Sequence, residues 1–483
     1  MSDYSALLAR VEAPEGSGRE IHDAATGEVI GRAPEHTAAD LDAAIAAAKK
    51  AQPAWNALGH EKRSALLLEI ADRIDAVAEP IAQLLSREQG KPLNGPNARF
   101  ELGACSSWLR ATAATVLEPE VVVDDGDVRA ELIYKPVGVV AAIGPWNWPL
   151  MIGIWQIAPS LRMGNTVVVK PSEFTPLSVL VLVSVMNEVL PAGVLSVVSG
   201  GREVGARLAS HPDIDKVAFT GSTAAGRQIA TTCGQMLRPV TLELGGKSAA
   251  IVLDDANLDL SVMGERLFES LLVNNGQTCY LGTRILAPDN RYDEVVDTLA
   301  AFMSSLPVGD ALDASTMIGP MASRTHRDRV EGFIDKGKGD GARVVVGGGR
   351  SDRDRGWFVE PTLFADVDNK STIAQEEIFG PVVAITPFDT DEEALELANG
   401  VKYGLAAYIW TSNLERAHTF AHAVESGMVW LNSHNVRDLR TPFGGVKSSG
   451  LGHEGGYRSI DFYTDQQAVH INLGEVHNPV FGK

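Results

Sequence analysis

Val139-Val140-Ala141-Ala142-Ile143 and Thr166-Val167-Val168-Val169-Lys170 are two short β-rich runs separated by a helical stretch, 149 to 163. The alternation continues with runs at Leu195 to Ser199, Lys216 to Thr220 and Pro239 to Leu244. Helical stretches at 176 to 190, 202 to 210 and 223 to 233 lie between them. Strand–helix–strand alternation of this kind predicts an α/β fold with a parallel sheet covered by helices on both faces. In such sheets nucleotides bind at the carboxyl ends of the strands.

Working outward, a second α/β unit is expected from Ser248 to about residue 445, with strands at Ala250 to Leu253, Arg343 to Val346 and Val382 to Ile385. Residues 38 to 117 read as three helices, with Lys62 to Glu88 strongly periodic. Residues 119 to 135 read as a hairpin turning at Asp124-Asp125-Gly126-Asp127. A glycine-rich link, Pro442 to Gly456, leads to a last strand at Gln467 to Ile471, which can pair with that hairpin in the same subunit or a neighbour.

The 483 residues exceed one ordinary core. A hydrophobic content of 45% with 22% charged residues describes a globular chain and excludes extended disorder. A net charge of −20 argues against nucleic acid as a partner, because phosphate binding needs a positive surface. Three cysteines cannot build a disulfide framework, which points to a reducing cytoplasm. The first 20 residues show no signal peptide, and the apolar stretch Val137 to Leu161 is interrupted by glycine and proline, so no membrane span is expected.

Cys279 stands in a small polar, glycine-containing stretch, Val273-Asn274-Asn275-Gly276-Gln277-Thr278-Cys279-Tyr280. A thiol there is open to a ligand, whereas Cys105 and Cys233 lie on helical stretches where packing accounts for them. Glu243 ends an apolar run between Leu242 and Leu244, and its burial would raise its pKa toward that of a general base. A fixed buried partner is the competing account of Glu243. Asn147 lies between two tryptophans in Pro145-Trp146-Asn147-Trp148-Pro149, where an amide can donate to an oxyanion or satisfy its own loop.

No G-x-G-x-x-G follows a strand. Phe219-Thr220-Gly221-Ser222-Thr223 follows a strand and opens a helix. It reads either as a pyrophosphate cradle or as a glycine turn with a Ser/Thr N-cap. Lys170-Pro171-Ser172-Glu173 places a lysine and a carboxylate at a strand end, suited to a ribose diol or to a solvated turn. His418 and His422 share a helix face without a third ligand, so no metal is expected.

Taken together these segments resemble the aldehyde dehydrogenase superfamily over nearly the whole chain. The matching motifs also include Glu376-Glu377-Ile378-Phe379-Gly380-Pro381 and Pro442-Phe443-Gly444-Gly445. The resemblance implies a Rossmann-like cofactor domain (1–117 and 137–245), a catalytic domain (246–447), and an oligomerisation ribbon and tail (118–136 and 460–483). It also implies a homodimer or homotetramer. By the same resemblance Cys279 is the nucleophile, Glu243 the general base and Asn147 the oxyanion donor. Lys170 and Glu173 contact the adenosine ribose, Trp146 and Ser222 lie by the pyrophosphate, and Glu377 holds the nicotinamide ribose. Ile143, Pro145, Ser172, Gly221, Leu244 and Phe379 complete the cofactor site. Glu173 favours NAD, with NADP possible.

The implied substrate pocket comprises Trp148, Met151, Trp155, Thr278, Tyr280, Arg437 and Phe443. Asn435 to Thr441 and the closing His477 to Lys483 resemble the hydroxymuconic-semialdehyde branch, in which Arg437 would grip a substrate carboxylate. Against that, Ala104 stands where the branch often has a second arginine, and Gly452-His453-Glu454 replaces Gly-Arg-Glu. The aromatic residues suit aryl or terpenoid aldehydes equally. Transfer of the acyl group to coenzyme A is disfavoured by Glu243. A silent structural protein on this fold is disfavoured by the intact Cys279, Glu243 and Asn147.

Overall fold

The computed structural model describes residues 4–116, 118–434 and 438–474, without the side chains of Tyr457 and Arg458. A six-stranded sheet carries the first set of runs. Four of its neighbouring pairs are parallel, in the order Val240–Glu243, Lys216–Thr220, Val139–Ile143, Thr166–Lys170, Leu195–Val197. Three of these strands, Val139–Ile143, Thr166–Lys170 and Lys216–Thr220, are buried along their whole length, as a parallel sheet sandwiched between helices requires. Gly450–Leu451 adds an antiparallel edge against Leu242 and Glu243, so the chain returns to this sheet near its end.

The helix Pro149–Arg162 is buried at every position and opens with proline at its first turn, where the missing N–H costs nothing. The residues between 38 and 113 form four helices rather than three: Ala38–Ala57, Gly59–Ala76, Ala78–Gln89 and Ala98–Ala113. The periodic stretch from Lys62 is broken at Val77 (φ −122°, ψ 16°), a kink that leaves the apolar spacing intact and so is invisible to periodicity.

A seven-stranded sheet forms the second unit, with Ala249–Val252 parallel to both Arg284–Pro288 and Ala406–Trp410. Glu120–Asp124 and Val128–Pro136 form the expected hairpin, turned by Asp125, whose carboxylate accepts the N–H groups of Asp127 and Val128. The strand Thr464–Asn472 pairs with Val128–Pro136 of the same chain. Among the described residues no helix is long and apolar enough to cross a membrane.

Candidate active site

A cavity of about 520 Å³ opens at the carboxyl ends of the first sheet's strands and runs to Cys279. Ile143, Pro145, Trp146, Lys170, Ser172, Glu173, Gly221, Ser222, Leu244, Glu377 and Phe379 all line it, together with Asn147 and Cys279. Its outer end is polar. Lys170 Nζ donates to the Pro171 carbonyl (2.8 Å), and Glu173 is held by Arg19 from the N-terminal strand (3.1 Å). Burial lowers the Lys170 pKa to about 8; Glu173 pulls it back up while Arg19 adds to the fall. Ser222 caps the helix Thr223–Gln235 by accepting the Ala225 N–H (3.3 Å), which realises the N-cap reading and leaves a helix N-terminus at the cavity wall.

The inner end is set by two loops. Asn274, Asn275 and Gly276 take φ values of 56°, 59° and 75° in succession, a left-handed path that asparagine and glycine tolerate better than other residues. The loop is pinned: Asn275 Nδ2 donates to the carbonyls of Gly90 and Pro320 (both 2.9 Å), and Gln277 Oε1 accepts the Ala322 N–H (3.0 Å). Such fixing of strained backbone puts Cys279 in one place. In the second loop Phe379 also has a positive φ, 65°. Arg329 donates to the carbonyls of Glu377 and Ile378 (2.7 and 2.6 Å), and His326 Nε2–H donates to that of Phe379 (2.6 Å). The Gly246 N–H donates to Glu377 (3.0 Å). A Cβ at Gly245 would meet Glu377 Oε2 at 2.5 Å, so a side chain there would push the Glu377 carboxylate out of its present position.

Burial pushes the Cys279 thiol well up, and the nearby carboxylates Glu377 and Glu243 add to it. Burial also raises the Glu377 pKa, to about 7, against the pull of the Gly246 N–H, Arg329 and Lys247. Glu243 ends its strand at 4% exposure, and a Cβ at Gly444 would stand 2.9 Å from its Oε1. Asn147 Nδ2 donates to the Gln277 carbonyl (3.0 Å), two residues before Cys279.

Trp148, Met151, Trp155, Thr278, Tyr280 and Phe443 do not line this cavity. Trp148, Met151, Trp155, Tyr280 and Phe443 belong instead to a buried cluster against which Cys279 packs from the other side. Trp155 and Phe443 lie 5.0 Å apart between ring centroids, and Trp148 Nε1–H donates to Thr278 Oγ1 (2.9 Å). Arg437 lies outside the described residues.

Sequence reading missed the residues that hold these groups: Arg19, Lys91, Glu101, Asn274, His326 and Arg329. Their decisive partners are remote in sequence, as Glu173 is from Arg19 and Asn147 from both Lys91 and Asn274, and Lys91 itself stands in a polar stretch, Gln89-Gly90-Lys91-Pro92, that offers no signal.

A family profile described as "Aldehyde dehydrogenase family" matches residues 11–469. The chain belongs to the aldehyde dehydrogenase family. It is similar to the geranial dehydrogenase of Castellaniella defragrans, 47% identical over 95% of this chain and 96% of that one. PnpE from Pseudomonas sp. WBC-3, also solved with nicotinamide adenine dinucleotide, superposes with a TM-score of 0.92 at 40% identity over 98% of both chains. An aldehyde dehydrogenase of Bacillus cereus in complex with NAD+ does so with a TM-score of 0.91 at 38% identity, over 96% of this chain and 94% of that one. The protein is thus an oxidoreductase of the aldehyde dehydrogenase family, with the mixed α/β architecture of its solved relatives.

Proposed function

We propose that the protein oxidises an apolar aldehyde to its carboxylic acid with NAD, through an acyl group carried on Cys279. The donor set of the cavity fits the cofactor: Lys170 and Glu173 suit a ribose diol, the helix N-terminus at Ser222 suits a pyrophosphate, and Glu377 suits the second ribose. NAD bound there would supply the hydride acceptor.

In this reading the Cys279 thiol gives up its proton to solvent in the cavity, the sulfur attacks the aldehyde carbon and a C–S bond forms. The carbonyl oxygen becomes an oxyanion, which takes hydrogen bonds from the Asn147 amide and the Cys279 backbone N–H. An amide carries two N–H groups, and only one of Asn147's is used on Gln277. After oxidation to the thioester, Glu243 takes a proton from water, the water oxygen attacks the acyl carbon, and the C–S bond breaks to return the thiol. The observation that carries the reading is the meeting of Cys279 and Asn147 in one cavity with Glu377, with Glu243 close enough to raise the thiol pKa.

The aromatic cluster against which Cys279 packs and the likeness to a geranial dehydrogenase support an unsaturated or aryl aldehyde over a carboxylated one. We further propose the division into a cofactor domain (1–117 and 137–245), a catalytic domain (246–447) and a ribbon (118–136 and 460–483). The ribbon's exposed Val121, Val122 and Val123 support assembly into a homodimer or homotetramer. Three free cysteines support a cytoplasmic setting.

Cys279→Ala is expected to lower NADH formation at least about 10³-fold while cofactor binding persists. A panel of terpenoid, aryl and carboxylated aldehydes, each with NAD and NADP, measures the substrate class. Preference for the carboxylated members would sink the apolar reading.

A further inference from the structure

The helix Ala78–Gln89 ends at Gly90 (φ +90°), and the chain then drives Lys91 into the interior. Neither the Lys91 nor the Glu101 side chain is exposed at all, and they form an ion pair at 2.5 Å. Lys91 Nζ has two more contacts. It donates to the backbone carbonyl of Asn147 at 2.6 Å and sits 3.6 Å from the centroid of the Trp148 ring. The three N–H bonds of one ammonium are thereby matched by two oxygens and a ring face. The other Glu101 oxygen accepts the N–H groups of Leu150 (2.8 Å) and Met151 (3.1 Å). These open the helix Pro149–Arg162, which has no side-chain cap of its own.

The Asn147 carbonyl is held a second time by Asn274 Nδ2 (2.8 Å), from the loop that carries Cys279. Asn147 is therefore fixed between two donors on its backbone oxygen and the Gln277 carbonyl on its amide.

Capping a helix with a buried glutamate does not by itself need a lysine. Glu88, from the same helical layer, caps the helix Pro176–Met186 through the N–H groups of Leu177 and Ser178 (both 2.9 Å), with no salt bridge among the described residues. A buried ion pair costs desolvation that its attraction only partly returns, so Lys91 is a poor investment for stability alone. What Lys91 adds, and Glu88 lacks, is the bond to Asn147.

We infer that Lys91, with Glu101 as its counter-ion, is a positioning residue: it fixes the Asn147 backbone so that the amide's second N–H points at the oxygen of the Cys279 adduct. The inference rests on the reading of Asn147 as the oxyanion donor. Electrostatic stabilisation depends on donors being aligned before charge develops, and a donor displaced by a fraction of an ångström forfeits much of it.

The test uses the full-length enzyme and the single-turnover rate of NADH formation. Lys91→Met alone leaves Glu101 as an unpaired buried charge, so it is measured beside Lys91→Met/Glu101→Gln. In that pair the Gln carbonyl still accepts the helix N–H groups and no charge is stranded. The double variant is expected to lower the rate by roughly ten- to a hundredfold, less than the ~10²–10³-fold expected of Asn147→Ala. Its NAD dissociation constant, and the rate at which iodoacetamide alkylates Cys279, are expected to stay within about twofold of wild type, a pattern that a general loss of structure would not give. Added to Asn147→Ala, the Lys91→Met/Glu101→Gln change is expected to cost less than about twofold more, because its target is already gone. A rate within twofold of wild type, or a loss that multiplies in full on the Asn147→Ala background, overturns the positioning role. Wild-type turnover in Asn147→Ala alone overturns the oxyanion reading itself, a separable failure.

Discussion

The two ends of the cavity hold their charges differently. At the outer end Glu173 is 38% exposed and is shared with Arg19, itself 32% exposed, an arrangement that solvent screens and that is worth little in stability. At the inner end Glu243 is buried, and Glu377 and the Cys279 thiol beside it are half-buried. The outer end can exchange partners cheaply, as suits the selection of a cofactor. The inner end raises the pKa of Glu377 and of the Cys279 thiol above their values in water, as suits groups that exchange protons during bond-making.

The sharpest way to break this contrast is at Glu243. Glu243→Gln is expected to preserve the first turnover of NADH but slow steady-state turnover by about 10²–10⁴-fold, the usual contribution of a general base. Stopped-flow and steady-state rates on the same sample measure it. Loss of the first turnover as well would mean that Glu243 serves thiol attack rather than hydrolysis.

A smaller effect should appear in cofactor affinity as a function of pH. Glu377, with its pKa raised to about 7, is protonated below that pH and then cannot accept two ribose hydroxyls. Lys170, lowered to about 8, loses its charge above that pH. NAD affinity is therefore expected to peak between about pH 7 and 8, falling by up to about tenfold per unit on either side. Glu377→Gln should remove the acid limb only. A fluorescence titration that is flat from pH 6 to 9 would erase the distinction between the ends.

The smallest effect belongs to the outer carboxylate. Glu173→Gln is expected to raise the NADP-over-NAD ratio of kcat/KM by about three- to tenfold, since a screened charge at a partly exposed position is at stake. No change would mean that Arg19 already keeps Glu173 away from the ribose.

Much of the cavity was legible because its residues sit at strand ends and in short motifs. The strands Thr166–Lys170 and Lys216–Thr220 match their apolar runs end to end, which carried Lys170 and Gly221 into place. The supports were not legible. Lys91 and Asn147 are 56 residues apart, and Arg19 reaches Glu173 from a strand that the sequence reading did not identify. Local pattern reports which face of an element is buried, and says nothing of which distant side chain ends beneath it. The kink at Val77 escaped for a related reason: it changes the direction of a helix without changing its periodicity.

The protonated state favoured for Cys279 has a consequence beyond catalysis. Peroxide attacks thiolates, and a half-buried thiol kept protonated first by desolvation and then by Glu377 and Glu243 is a poorer target. Such a thiol is expected to react with peroxide more slowly than an activated thiolate would, which alkylation and peroxide rates on the resting protein would measure.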